Sequence, residues 1–196
     1  MSHHIYQTEG YILKTYPSGE AGLYLRIYTK DLGLIQATAQ GVRYLKSKLR
    51  YSLQETSESH LSLVRGKEIW RITNARLEEN LFSSFRDTPD SFHSVMKILM
   101  LVDRLVQGEE RHDLFFSTLR DAFSFLKQHK LENDQYELFE AIATLKILHL
   151  LGYGAVSKDL EIFIESPWSM DLIKEMQADR LTAKREIDRA LHASQL

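Results

Sequence analysis

The chain has 196 residues, of which 43% are apolar and 27% are charged, as is typical of a globular protein with a buried core. Its 25 basic and 27 acidic residues give a formal net charge of −2, and the absence of cysteine excludes disulfides and thiolate zinc sites within these residues. No apolar run approaches the roughly 20 residues of a membrane span, and the first residues lack the apolar core of a signal peptide. We therefore expect a cytoplasmic location.

Charge is unevenly distributed along the chain. Residues 1–80 carry 11 basic and 8 acidic residues, whereas residues 81–196 carry 14 and 19. No Asp or Glu occurs from Leu32 to Gln54. The cations concentrated in that stretch are Arg43, Lys46, Lys48 and Arg50. A basic, acid-free segment in a mildly acidic chain indicates a local surface for an anionic partner.

The first 76 residues alternate apolar and polar side chains, which predicts strands. The predicted strands are 10–16, 23–29, 34–40, 53–64 and 67–75. Lys30 to Gly33 suits a short hairpin with Gly33 at positive φ, and Arg65-Gly66 suits a tight turn. Five short antiparallel strands, with a longer excursion between the third and the fourth, match a small Greek-key barrel of the oligonucleotide-binding (OB) fold.

After residue 80 the apolar period becomes about 3.6 residues, which predicts helices. The apolar stripes run over 92–106, 114–126 and 136–150, with a final helical region over 166–193. Thr88-Pro89 should begin the first helix and Gly152 should end the third, while the fold of 152–165 is left open. We expect an α+β protein with an OB-fold nucleic-acid-binding domain over 1–78 and an all-α helical domain over 79–196.

The sequence favours a binding module over an enzyme. The glycines form no phosphate-binding loop, the histidines form no i, i+4 pair, and no serine nucleophile motif is present. We therefore expect no catalytic residue, no metal and no cofactor.

The candidate binding site combines the basic segment with the second strand. In OB barrels, strands two and three form the ligand face, where cations contact phosphates and aromatic rings stack on bases. The predicted phosphate contacts are Arg43, Lys46, Lys48 and Arg50, with Lys14 and Arg71 as secondary candidates. The predicted stacking or backbone contacts are Tyr24, Arg26, Tyr28 and Tyr44. The alternative is that these side chains are cross-strand partners or solvated cations without a ligand.

Residues 10–43, GYILKTYPSGEAGLYLRIYTKDLGLIQATAQGVR, resemble the opening of the RecO family of bacterial recombination mediators. Gly41-Val42-Arg43 and Lys46-Ser47-Lys48 occupy the places of that family's Gly-x-Arg and its basic, serine-containing loop. Leu53-Gln54 follows as in the family, but Glu55 stands where a proline is usual.

The resemblance continues into the helical half and covers about residues 5–155. LFF at 114–116 and FEAIATLKILHLLGYG at 139–154 resemble the family's helical domain, whose third long helix tends to end in Leu-Gly-Tyr. Many members carry a four-cysteine zinc site after that motif. This chain, without cysteine, resembles the members that lack the zinc site.

The resemblance implies a non-enzymatic DNA repair and recombination mediator at the nucleoid. Such a protein binds single-stranded and double-stranded DNA, anneals strands and helps load RecA onto DNA coated with single-stranded DNA-binding protein (SSB). The implied protein partners are RecR, in some bacteria RecF, and the acidic C-terminal tail of SSB. Phe115, Phe116 and Arg120 match the LFF region and are candidates for the tail site, although adjacent phenylalanines on a helix are more commonly core residues.

Two other classes of protein fit the same pattern. One is a protein-interaction adaptor whose final helix oligomerises through Leu172, Ile173 and Met176. The other is an RNA-binding barrel of the translation or ribosome-maturation kind. Competition between DNA and RNA oligonucleotides at fixed salt would separate these classes from the repair protein.

Overall fold

The computed structural model describes residues 4–112, 114–153 and 157–193. The chain divides into a barrel unit, Met1–Arg86 with Val106–Arg111, and a helical unit, Asp87–Leu105 with His112–Leu196. The strands are β1 (Ile5–Ser18), β2 (Gly22–Thr29), β3 (Gly33–Ala39), β4 (Ser57–Arg65) and β5 (Trp70–Asn80). The helices are α1 (Leu49–Ser52), α2 (Leu81–Ser84), α3 (Pro89–Leu105), α4 (Phe115–Gln128), α5 (Asn133–Leu150), α6 (Lys158–Glu165) and α7 (Met170–Ala193). No helix within these described ranges is both long and apolar enough to cross a bilayer.

The five strands close into a barrel in the order β1-β2-β3-β5-β4, which confirms the predicted OB-type architecture. Closure depends on the length of β1, which pairs with β4 over Ile5–Tyr11 and with β2 over Gly10–Ser18. A register shift between Ile12 and Lys14 marks an irregularity in the β1–β2 ladder. Such bulges bend a strand, so that one strand can serve two neighbours around a barrel.

The barrel core follows from the alternation of side chains along the strands. Leu25 and Ile27 of β2, together with Ile35 and Ala37 of β3, are fully buried within one apolar cluster. Each large aliphatic side chain contributes about 1.5–3 kcal/mol when it leaves water. Because successive side chains on a strand point to opposite faces, the residues between them are directed away from this core.

Gly33 adopts the positive φ that the hairpin required, with a value of 67°. A Cβ atom there would lie 2.3 Å from the carbonyl oxygen of Glu110, so the position also lacks room for a side chain. The neighbouring Leu34 amide donates to the Gly108 carbonyl at 3.0 Å. Residues 106–111 therefore lie along the start of β3 and belong to the barrel unit.

The helical unit confirms two predicted boundaries. Helix α3 begins at Pro89, and α5 ends at a Schellman motif around Gly152, which has a φ of 73°. There the Gly152 amide donates to His149 and the Tyr153 amide donates to Leu148, at 3.0 and 2.9 Å. The Tyr153 hydroxyl also donates to the Leu105 carbonyl at 3.0 Å, which ties the end of α5 to the end of α3. The Leu-Gly-Tyr sequence therefore ends α5 and attaches that end to α3.

The segment left open by the sequence contains α6, Lys158–Glu165, while Gly154, Ala155 and Val156 lie outside the described residues. The predicted start of the last helix at Ser166-Pro167 is wrong. Ser166 is extended and caps the end of α6, and Ser169 accepts from the Leu172 amide at 3.1 Å where α7 begins.

The prediction that the final helix oligomerises through an apolar stripe is also wrong. Its residues Leu172, Ile173 and Met176 are 4%, 0% and 0% exposed. They form part of the helical unit's interior, so they are not available to another copy of the chain.

Lys146 is a buried cation on α5, with 7% of its surface exposed. Its Nζ donates to the carbonyls of Ile164 and Ser166 at 2.7 and 2.8 Å. Burial lowers the pKa of Lys146, and the nearby Asp121 carboxylate opposes that shift. Because helix C-terminal carbonyls carry partial negative charge, the ammonium group is well placed to hold the end of α6 against α5.

Replacing Lys146 with Met should lower the free energy of unfolding by about 1–3 kcal/mol, because two carbonyls lose a charged donor. Urea denaturation of the full chain, followed by circular dichroism, measures this difference. Lys130→Met is the matched control, since Lys130 is exposed and its replacement should change stability by less than about 0.5 kcal/mol. Equal stabilities for the two variants would contradict the role given to Lys146.

Candidate nucleic-acid interface

Residues 41–53, here called the basic arm, leave β3 and return to the barrel before β4. Apolar anchors hold both ends of the arm. Val42 and Leu53 are 2% and 1% exposed within the barrel core, and Leu49 packs against the same cluster. The Arg43 amide donates to the Ala21 carbonyl at 3.0 Å, which joins the arm to the β1–β2 turn. The arm is therefore a structured part of the barrel unit.

The polar side chains of the arm face outward. Arg43, Lys46, Lys48 and Arg50 are all exposed, and none forms an ion pair with any residue that the structure describes. The sequence prediction that these cations are available to an anion is consistent with this placement. Three large side chains project among them, namely Tyr44, Leu45 and Tyr51, with 62%, 87% and 68% exposure.

Glu55 gives the arm a further attachment. One of its carboxylate oxygens accepts from the Thr15 amide at 2.7 Å and from the Thr15 hydroxyl at 3.2 Å. A proline at this position could not make these bonds, because it has no side-chain acceptor. Glu55 thus fastens the chain just after the arm to β1, beside Lys14 and Tyr16.

The outward side of β1, β2, β3 and β5 carries two rows of side chains in register. The first row runs Tyr16, Tyr24, Thr38, Arg71, and the second runs Lys14, Arg26, Gln36. These seven residues are called the outer face. Lys14, Tyr16, Gln36 and Arg71 are exposed, and the other three are partly exposed. The structure therefore brings together four predicted residues from three strands, namely Lys14, Tyr24, Arg26 and Arg71.

Tyr16, Gln36 and Thr38 belong to the outer face but were not predicted as site residues. Tyr16 lies directly opposite Tyr24, and their ring centroids are 6.3 Å apart with the planes tilted by 51°. Only the β1–β2 register shows that Tyr16 lies beside Tyr24 on the outer face.

The prediction that Tyr28 contacts nucleic acid is wrong. Its side chain is 0% exposed, and burial raises the pKa of its hydroxyl. Alternation along β2 predicted an exposed ring because Ile27 faces the core. The strand is, however, buried on both sides from Ile27 to Thr29, so its end presents no aromatic surface to a base.

A groove of about 410 Å³ connects the outer face with the basic arm. Its walls are the β1–β2 turn and residues 38–41 at the end of β3, and Tyr44 also lines it. Since Thr38 belongs to the outer face and Tyr44 to the arm, the groove gives a continuous path for a chain-like ligand across the barrel unit.

The prediction of a partner site in the helical unit is wrong for two of its three residues, because both are buried. Phe115 and Phe116 are each 1% exposed, so neither ring lines an accessible pocket. Arg120 is partly exposed, and its guanidinium carbon lies 5.0 Å from the centroid of the Phe116 ring. The Arg120 guanidinium thus packs on the Phe116 ring. Of the three predicted residues, only Arg120 has surface exposed to a partner.

The arrangement suits the binding of a polyanion. Cations and aromatic rings share one surface of the barrel unit, as in sites that bind single strands. Over the described ranges, no group of three or more His, Asp or Glu side chains is placed to hold a metal ion.

Comparison with known proteins agrees with this geometry. Residues 1–81 match the family model described as recombination protein O N terminal. A DNA repair protein RecO from Heliobacterium modesticaldum is 30% identical over 171 residues, which are 84% of this chain and 60% of that protein. The RecO of Alkaliphilus metalliredigens is 27% identical over 154 residues, covering 79% of this chain and 60% of the relative.

A third relative, the DNA repair protein RecO of Dehalococcoides mccartyi, is 41% identical over 151 residues, which are 76% of this chain and 57% of the relative. The chain therefore spans about 60% of the length of the relatives it matches. The family-model match coincides with the closed barrel, and the alignments with the relatives, at 151 to 171 residues, are too long to lie within the barrel alone. On these grounds the chain belongs to the RecO family.

Proposed function

We propose that this protein is a DNA repair and recombination mediator without covalent catalysis, which binds DNA through the basic arm and the outer face. The observation that carries the proposal is the set of four exposed arm cations without an ion-pair partner among the described residues, held beside exposed aromatic rings. Its relatives are named DNA repair proteins, which supports the same class of work.

Binding should be largely independent of base sequence. Contacts from Lys and Arg to phosphates position a nucleic acid but carry no sequence information, and stacking on aromatic rings tolerates every base. Such a surface suits a protein that acts on gaps or ends wherever they arise.

Strand annealing follows from the same surface. Two single strands repel each other through their phosphates, and a cationic arm reduces that repulsion while leaving the base edges free to pair. We propose that the protein anneals complementary strands in this way and that it helps load RecA onto DNA coated with SSB.

Replacing Arg43, Lys46, Lys48 and Arg50 together with Ala should weaken single-stranded DNA binding strongly. Each phosphate contact on a single strand contributes about −0.7 to the slope of log affinity against log salt, so the variant's slope should be shallower by about 3. Fluorescence anisotropy of a labelled oligonucleotide, titrated with the full chain at several salt concentrations, measures both quantities.

The matched control removes the same number of charges from the helical unit. Lys130, Lys174, Lys184 and Arg185 are exposed there, and their joint replacement with Ala should leave most of the affinity and the salt slope intact. Equal losses in the two folded variants would show that net charge alone matters and would contradict the assignment of the arm.

We also propose that the protein works with the partners of its family: RecR, RecF where present, and the SSB tail. For the tail, Arg120 is the candidate contact. Its guanidinium rests over the Phe116 ring on the helical unit and is partly exposed, so it offers a fixed positive charge to an acidic peptide.

Arg120→Glu should weaken binding of an SSB tail peptide by at least about tenfold, because attraction becomes repulsion. Fluorescence polarisation of the labelled peptide with the full chain tests this. Arg185→Glu, which makes the same charge change at an exposed position of α7, should retain binding. Retention of binding by Arg120→Glu would remove this residue from the tail site.

A further inference from the structure

The outer face contains a feature that phosphate binding does not need. Tyr16 and Tyr24 lie directly opposite each other on β1 and β2, and Tyr16 is 48% exposed. Their planes are tilted by 51° at a centroid distance of 6.3 Å, so the two rings do not cover each other face to face. Ring surface therefore remains accessible to a planar ligand.

The surroundings of the two rings suit a nucleotide. The neighbouring row places Lys14 beside Arg26, one step along the same strands. In the other direction, Thr38 and Arg71 continue the row that contains the tyrosines. A base on a tyrosine ring would thus have cations within reach of its phosphates, on the side of Lys14 and Arg26 and on the side of Arg71.

Stabilisation of the sheet alone explains less of this arrangement than nucleotide binding does. Aromatic cross-strand pairs stabilise sheets, and a pair of this kind contributes about 0.5–1.5 kcal/mol. That contribution explains why two tyrosines face each other. It does not explain why the exposed cation Arg71 continues the row on β5, or why the groove leads from this face to Tyr44.

The basic arm and the tyrosine pair should read different features of DNA. Phosphates are accessible on single strands and on duplexes, so the arm cations can contact both forms. Stacking on a tyrosine ring requires an unstacked base, and the bases of a duplex are already stacked on one another.

We propose that Tyr16 and Tyr24 form a base-stacking subsite that selects single strands, while the basic arm contacts the phosphates of single strands and duplexes alike. This inference rests on the proposed DNA binding and adds to it the origin of strand selectivity. It assigns a role to Tyr16, which sequence patterns did not single out.

The division of roles lets the outer face release the product once two strands have annealed. A single strand on the outer face keeps its bases on the tyrosine rings until a complementary strand pairs with them. Pairing removes the bases from the rings, while the phosphates can still be held by the arm. The outer face then releases the duplex product and is ready for another single strand.

The test replaces Tyr16 and Tyr24 with Leu in the full chain. Affinities are measured by fluorescence anisotropy for a labelled oligo-dT strand and for a capped hairpin duplex with no unpaired ends. One stacked base corresponds to a factor of about 5 to 150 in affinity. Single-strand affinity should therefore fall at least about tenfold, and duplex affinity should stay within about twofold.

The matched variant, Tyr16→Phe with Tyr24→Phe, keeps the rings and removes the hydroxyls, so it should retain single-strand affinity. Loss of affinity in this variant equal to that of the Leu variant would overturn the stacking role. Equal falls for single strand and duplex in a folded Leu variant would also overturn it, yet would leave DNA binding by the arm in place. Failure of the unaltered protein to bind either DNA would instead overturn the proposed function itself.

A second measurement keeps the inference testable if the Leu variant does not fold. Photocrosslinking of the unaltered protein to an oligonucleotide carrying 5-iodouracil should give adducts at Tyr16 or Tyr24, because such crosslinks form with stacked aromatic rings. Adducts confined to other residues would overturn the subsite.

Discussion

The proposed DNA-binding surface depends on the apolar anchors at the two ends of the basic arm. Val42 and Leu53 are buried in the barrel core, and Leu49 packs against it. Burying such side chains contributes about 1.5–3 kcal/mol each, enough to hold the intervening backbone on the barrel. Since the anchors take the inward positions, the cations between them are left exposed. The sequence describes the basic arm only as a charged segment, whereas the structure shows that its backbone is anchored to the barrel.

Hydrogen bonds join the basic arm, and the residues that follow it, to the β1–β2 turn and to β1. The Arg43 amide binds the turn at Ala21, and Glu55 binds β1 at Thr15. The groove between the turn and the end of β3 then joins the outer face to the arm. The proposed contacts to phosphates and bases come from positions as distant in sequence as Lys14 and Arg71, which only the closed barrel brings into register.

Sequence patterns predicted the features that depend on local chemistry. Alternation identified the strands, Pro89 marked a helix start, Gly33 marked a position of positive φ and Gly152 marked a helix end. The errors arose where tertiary packing decides exposure. Tyr28 has the period of an exposed residue but lies where β2 is buried on both sides, and Phe115 and Phe116 form core. Tyr16 was missed because cross-strand register cannot be read from one strand.

Binding of DNA by the basic arm and the outer face can be tested by amide hydrogen exchange of the full chain, with and without a saturating single-stranded oligonucleotide. We expect slower exchange in residues 41–53 and in the strand segments around Tyr16, Tyr24 and Thr38, with the helical unit unchanged. Slower exchange confined to the helical unit, with the arm and these strands unaffected, would contradict it.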